Sequence, residues 1–141
     1  MCEYLKEQNF LVGVSLDGPR TLRDANRIFL NKKGSFDRIR QGIALLRKYD
    51  VSFNILVVLT HLTAEYMGKL RVFFENYGLD DLQFITCLEP FGTKPFSTGF
   101  AMSNDDYFEI NKMLFDWYLQ RNRAGKRLSI RHLDNIINTI N

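Results

Sequence analysis

The stretch FNILVVLT, residues 53–60, decides how the rest of the chain is read. It is apolar apart from one amide and a closing Thr, carries β-branched residues, and shows little polar alternation. That is the pattern of a strand buried on both faces, as in parallel sheets covered by helices. Upstream, FLVGVSL at residues 10–16 has the same texture, and downstream LQFITCL at residues 82–88 repeats it more weakly. Between the first two runs, Phe36, Ile39, Ile43 and Leu46 recur at spacings of three and four. Gly34-Ser35 precedes them and Arg47-Lys48 follows, which predicts a capped amphipathic helix with a cationic last turn. Between the second and third runs the spacing predicts a helix over residues 64–77. Thr63 stands at its N-cap, Met67, Leu70, Phe74 and Tyr77 share one face, and Gly78 supplies a left-handed stop. The order strand, helix, strand, helix, strand predicts parallel strands joined by right-handed crossovers, an α/β fold.

Beyond Leu88 the texture changes. Residues 89–99 are rich in Pro and Gly and read as a long loop. Ser103-Asn-Asp-Asp then opens a long helix through Tyr107, Ile110, Leu114, Trp117 and Tyr118, and a short helix is expected over residues 130–141. Met1-Cys-Glu-Tyr-Leu-Lys reads as the tail of a helix. About three parallel strands with covering helices would leave two unprotected edges, which barrels avoid by adding neighbours. The expectation is therefore a partial (β/α) barrel, a fragment of a larger one, whose unpaired strand edges drive self-association or strand exchange.

Composition narrows the functional classes. The chain has 141 residues, 45% hydrophobic and 25% charged, which fits a globular domain and excludes disordered and fibrous classes. A net charge of +3 is too small to argue for nucleic acid. The basic groups Arg20, Arg23, Arg27, Lys32 and Lys33, and Arg121, Arg123, Lys126 and Arg127, read as solvated loops and helix ends. Two cysteines, Cys2 and Cys87, form no paired motif, so a reducing cytoplasm is expected. No apolar run approaches the roughly 18 residues of a membrane span.

In parallel α/β folds, ligands sit at the C-terminal ends of strands. For the first strand these residues are Ser15-Leu-Asp-Gly-Pro19, and alternation puts Ser15 and Asp17 on one side, opposite Leu16. A hydroxyl and a carboxylate emerging together could hold a polar ligand. On spacing alone, an Asp-Gly-Pro turn with a helix-capping Ser is the favoured reading. The second strand ends in Thr60-His61 and the third in Cys87-Leu88-Glu89-Pro90. His61 reads as a solvated or hydrogen-bonded side chain, Cys87 as a small core residue, and His132, beside Arg131 and Asp134, is ambiguous on a helix start. There is no GxGxxG, no P-loop, no HExxH and no GxSxG, and no metal-binding set.

At these strand ends the chain resembles a known family. FLVGVSLDGP, RDANR, GSFDRIRQGIALLRKYDVSFNILVVLT, QFITCLEP and LSIRHLDNIINTI together resemble the barrel of the anaerobic sulfatase-maturating enzymes, also called arylsulfatase regulators. The resemblance implies a radical S-adenosylmethionine (SAM) oxidoreductase with 4Fe–4S clusters, which oxidises a sulfatase Cys or Ser to formylglycine. It implies a sulfatase polypeptide as substrate and a reductant such as ferredoxin or flavodoxin, with no nucleic acid and no membrane partner. Carried over by position, it implies that Ser15 contacts SAM, that Arg27 pairs with its carboxylate and that Leu88 packs on adenine, with Asp17 beside Ser15. Gln83 and Asn54 also match family positions, without separate roles. It places residues 1–141 in the central to C-terminal part of the barrel domain, without the CxxxCxxC segment that binds the cluster and without the C-terminal SPASM domain. Two isolated Cys cannot ligate a cluster needing about three or four thiolates, so the stretch alone is expected to be inactive and to hold no catalytic residue. A SPASM-type maturase of another peptide, or a non-catalytic half-barrel that binds or regulates, are the alternatives.

Overall fold

The computed structural model describes residues 1–20, 35–92 and 99–140. Among them the chain forms four parallel strands in one sheet, ordered β1-β2-β3-β4, with helices between. The α/β class is therefore as the sequence predicts. The chain divides into two compact units, Met1–Val57 and Val58–Asn141.

The first unit opens with helix α1, Cys2–Glu7, and strand β1, Val12–Ser15. Helix α2 follows at Phe36–Lys48, and strand β2, Phe53–Leu59, begins in this unit. The expected amphipathic face of α2 buries Phe36, Ile43 and Leu46. Its exit needs a left-handed residue, supplied by Asp50 at φ 50°, which lets the Val51 N–H reach the Leu46 carbonyl at 2.9 Å. Asp50 also accepts from the Lys6 ammonium at 2.6 Å, which ties α1 to that turn. Strands β1 and β2 pair in parallel, with Gly13 opposite Asn54 and Ser15 opposite Leu56. Along β2, Ile55, Val57 and Leu59 are at most 2% exposed while Asn54, Leu56 and Val58 are only partly covered, so one face carries the tight packing.

The second unit holds helices α3, His61–Glu65, and α4, Met67–Asn76, strand β3, Asp81–Thr86, helix α5, Asn104–Arg123, strand β4, Ser129–Ile130, and helix α6, Arg131–Ile140. Leu70, Phe74, Leu82, Ile110, Leu114, Leu128 and Ile130 form its core, each at most 2% exposed. Gly78 ends α4 with φ 58°, as the sequence predicts. Ser103 caps α5: its hydroxyl accepts the Asp106 N–H at 3.0 Å while the Asp106 carboxylate reaches back to the Ser103 N–H.

Two details differ from the sequence reading. The helix expected over 64–77 is split, and the cap belongs to Thr60 rather than Thr63. Thr60 and Thr63 exchange side-chain bonds with each other's backbone N–H, and the Thr63 hydroxyl also donates to the Thr60 carbonyl at 2.7 Å, which starts α3 at His61. The sheet also has four strands where about three were expected. The fourth is two residues long, too short for a periodic signal, and is held by pairing Asp81 with Ser129 and Leu82 with Ile130. The Asn122 side-chain amide supports it from α5, donating to the Leu128 carbonyl at 2.9 Å and accepting the Leu128 N–H at 3.2 Å.

Candidate functional site

Ser15 is the last residue of β1, and pairing continues one step further, since the Leu16 N–H donates to the Leu56 carbonyl at 2.9 Å. The pleat then turns Leu16, 1% exposed, into the packed face and returns Asp17 to the face of Ser15 and Asn54. Asp17 is buried, 6% exposed, and both it and Ser15 are engaged by neighbours. Gly18 follows at φ 130°, a conformation that side chains rarely adopt, so the chain turns away sharply after the carboxylate. The turn and the shared face expected from the spacing are both present. Gly13 leaves its side-chain space to Leu56, because a Cβ there would sit 3.0 Å from Leu56 Cδ1.

Leu88 lies two residues beyond β3, in the second unit, and is 79% exposed. The Cys87 N–H donates to the Leu59 carbonyl at 2.9 Å, so strand pairing runs up to the residue before it. An exposed apolar side chain at a strand's C-terminal end is a surface on which a planar ring can pack. Ser15 and Asp17 are thus brought together and Leu88 belongs to the other unit, while Arg27 lies outside the described residues.

Two further polar residues stand on strand faces. Gln83, in β3, lies on the face opposite Leu82 and accepts a hydrogen bond at 3.1 Å from Nη1 of Arg131. Sequence reasoning noted Gln83 without a role and passed over Arg131 as its partner. No periodic signal pointed to it, because the strand it follows is only two residues long. His61 opens α3, donates its backbone N–H to the Phe100 carbonyl and places Nδ1 at 3.0 Å from Asp106 Oδ2, the hydrogen-bonded reading of that side chain. His132 is half-buried, its Nε2 is enclosed with no hydrogen-bond partner among the described residues, and burial pushes its pKa below the ordinary value while Asp134 opposes the shift. Cys2 and Cys87 are both free thiols, and among the described residues no three His, Cys, Asp or Glu side chains converge to hold a metal ion. Among them, too, no helix is long and apolar enough to cross a membrane.

No family model matches the chain. It is 36% identical over 138 residues to the cysteine-type anaerobic sulfatase-maturating enzyme of Clostridium novyi (strain NT), an alignment covering 98% of this chain and 37% of that protein. It is 39% identical over 88 residues to the serine-type enzyme of Bacteroides thetaiotaomicron, covering 62% of this chain and 21% of that one. Its structure is similar to native anSMEcpe with bound AdoMet and Cp18Cys peptide, with a TM-score of 0.93 at 34% identity, covering 99% of this chain and 39% of that one. The chain thus spans well under half the length of these relatives. Its sheet corresponds to part of a larger α/β enzyme.

Proposed function

The chain is a relative of the anaerobic sulfatase-maturating enzymes over nearly its whole length, and from that premise we propose that it is part of the SAM-binding barrel of such an enzyme. The reading extends to the central and C-terminal part of a radical SAM barrel domain, oxidation of a sulfatase Cys or Ser to formylglycine, a small electron-transfer protein as reductant, and a cytoplasmic setting. The observation that carries it is the near-complete coincidence of the described fold with a relative holding AdoMet and a peptide.

By likeness to the family, Ser15, Asp17, Arg27 and Leu88 are the residues of this stretch that would meet SAM. A hydroxyl and a buried carboxylate stand on one face at the end of β1, where Ser15 and Asp17 would meet the polar part of the cofactor. The exposed Leu88 would take the adenine, and Arg27 the carboxylate through the planar fork of its guanidinium. When bound, SAM supplies the radical that takes a hydrogen atom from the substrate side chain. The same residues do not fit an iron–sulfur cluster: Cys2 and Cys87 are the only thiols, and no ligand group forms among the described residues. No step is assigned to a cluster within this stretch, and the stretch by itself should be inactive.

The test uses the full-length protein, anaerobically reconstituted with iron and sulfide and given a reductant. Formation of 5′-deoxyadenosine together with conversion of Cys or Ser to formylglycine in a sulfatase peptide is expected. Absence of SAM cleavage would remove the proposal. Cleavage without oxidation of any sulfatase peptide would redirect it to a maturase of another peptide.

A further inference from the structure

We infer that Arg131 is an anion-recognition residue on the open side of β3 and β4, and that its anion is a carboxylate of the peptide substrate. The inference rests on the peptide-oxidising reading above and deepens it.

The register Leu82 opposite Ile130 puts Gln83 beside Arg131, and Leu82 and Ile130, at most 1% exposed, turn into the helix-packed side. Gln83 and Arg131 therefore meet on the opposite side, as their 3.1 Å hydrogen bond shows directly. Two residues further along β3 on that side, Ile85 remains 41% exposed. The C-terminal ends of parallel strands are where such folds bind ligands.

The arginines of this unit differ in their partners, and Arg71 also donates to the Gln120 amide oxygen at 2.9 Å. Arg71, Arg121 and Arg127 meet the carboxylates of Glu75, Asp80 and Asp81. Arg131 is held by a neutral amide and, among the described residues, has no carboxylate within ion-pair distance. Gln83 occupies one of the five guanidinium N–H groups, and a guanidinium can offer two others together to a carboxylate.

The helix makes the same point. Arg131 is the first residue of α6, where the macrodipole disfavours a cation. Asp134, the acidic residue of that first turn, is already engaged by the Tyr118 hydroxyl at 2.9 Å and the Ser129 hydroxyl at 2.6 Å. A fixed cation at the positive end of a helix weakens the fold locally and raises the potential for an anion.

The test measures binding to the full-length protein by fluorescence anisotropy. The probes are sulfatase-type Cys peptides in which one Glu is moved along the sequence, each with its Gln counterpart, and SAM is titrated separately. At one position the Glu peptide should bind about tenfold more tightly than its Gln counterpart. Arg131→Gln should abolish that preference while leaving SAM affinity and the circular dichroism spectrum unchanged. Gln83→Leu, which keeps the charge but not its orientation, should reduce the preference about threefold. A preference that survives Arg131→Gln, or no preference at any position, overturns the inference while peptide binding upholds the functional reading. Loss of SAM affinity in Arg131→Gln would assign the carboxylate to SAM and overturn it as well. Failure of every peptide to bind would overturn both.

Discussion

The His61 imidazole donates its Nδ1–H to Asp106 Oδ2 across 3.0 Å, joining the start of α3 to the first turn of α5. An ionised carboxylate can only accept, so this bond fixes the ring tautomer and leaves Nε2 as the acceptor in the neutral form. The His61 bond, followed by those from Ser103, holds Asp106 below the ordinary carboxylate value of 3.8. A depressed carboxylate contributes stability above its unfolded value and loses it as pH falls through the folded one. Asp106→Asn should therefore destabilise at neutral pH and flatten the acid limb of stability against pH, measured by urea unfolding from pH 7 to 3. Parallel curves for the two proteins would refute the linkage.

Ser103 acts on the same helix end without a charge. Ser103→Ala removes the acceptor for the Asp106 N–H and should cost about 1 kcal/mol at neutral pH in urea unfolding. A change within a few tenths would mean that the twenty-residue helix is held by its packing alone.

Phe74 is 0% exposed in the second unit, while Val72, on the same helix, is 54% exposed. Phe74→Ala should cost about 3–5 kcal/mol and Val72→Ala less than about 0.5. Similar losses at both positions would contradict the packing direction of α4.

His132 gives a second pH effect of opposite chemical origin. Burial disfavours its charged form, so the unfolded chain binds the proton more readily than the folded one. Stability should fall as pH drops below the ordinary value of 6.5 toward the lowered folded one. His132→Leu should remove that decline between pH 7 and 5, and with it the enclosed nitrogen.

If Ser15 and Asp17 hold SAM, Ser15→Ala and Asp17→Asn should each raise its Kd about tenfold in the full-length protein, about 1.4 kcal/mol. An unchanged Kd in both would leave the pair as a turn and cap.

Much of this is legible in the sequence. β2 announced itself because seven consecutive residues, Phe53–Leu59, repeat one texture, and α2 because its apolar spacing is regular. β4 was not legible, since Ser129 and Ile130 become a strand only by pairing with Asp81 and Leu82, 48 residues upstream. The start at His61 was hidden for a related reason, since it follows from reciprocal bonding between Thr60 and Thr63, and no Gly or Pro stands at the break after Glu65. At the site, alternation alone put Ser15 and Asp17 together. Arg131 could not be read that way, because its meaning lies in a neutral partner on another strand.

The Asn122 amide has a consequence for the order in which the second unit assembles. Its side chain offers Leu128 one donor and one acceptor, as a neighbouring strand's peptide group would, across a separation of six residues. That local clasp exists only once the last turn of α5 is wound. The α5–β4 segment can then form early as a nucleus, before the distant pairing with β3 closes its larger loop. Asn122→Ala should accordingly slow refolding more than it speeds unfolding, a high φ-value for a residue at the chain's surface.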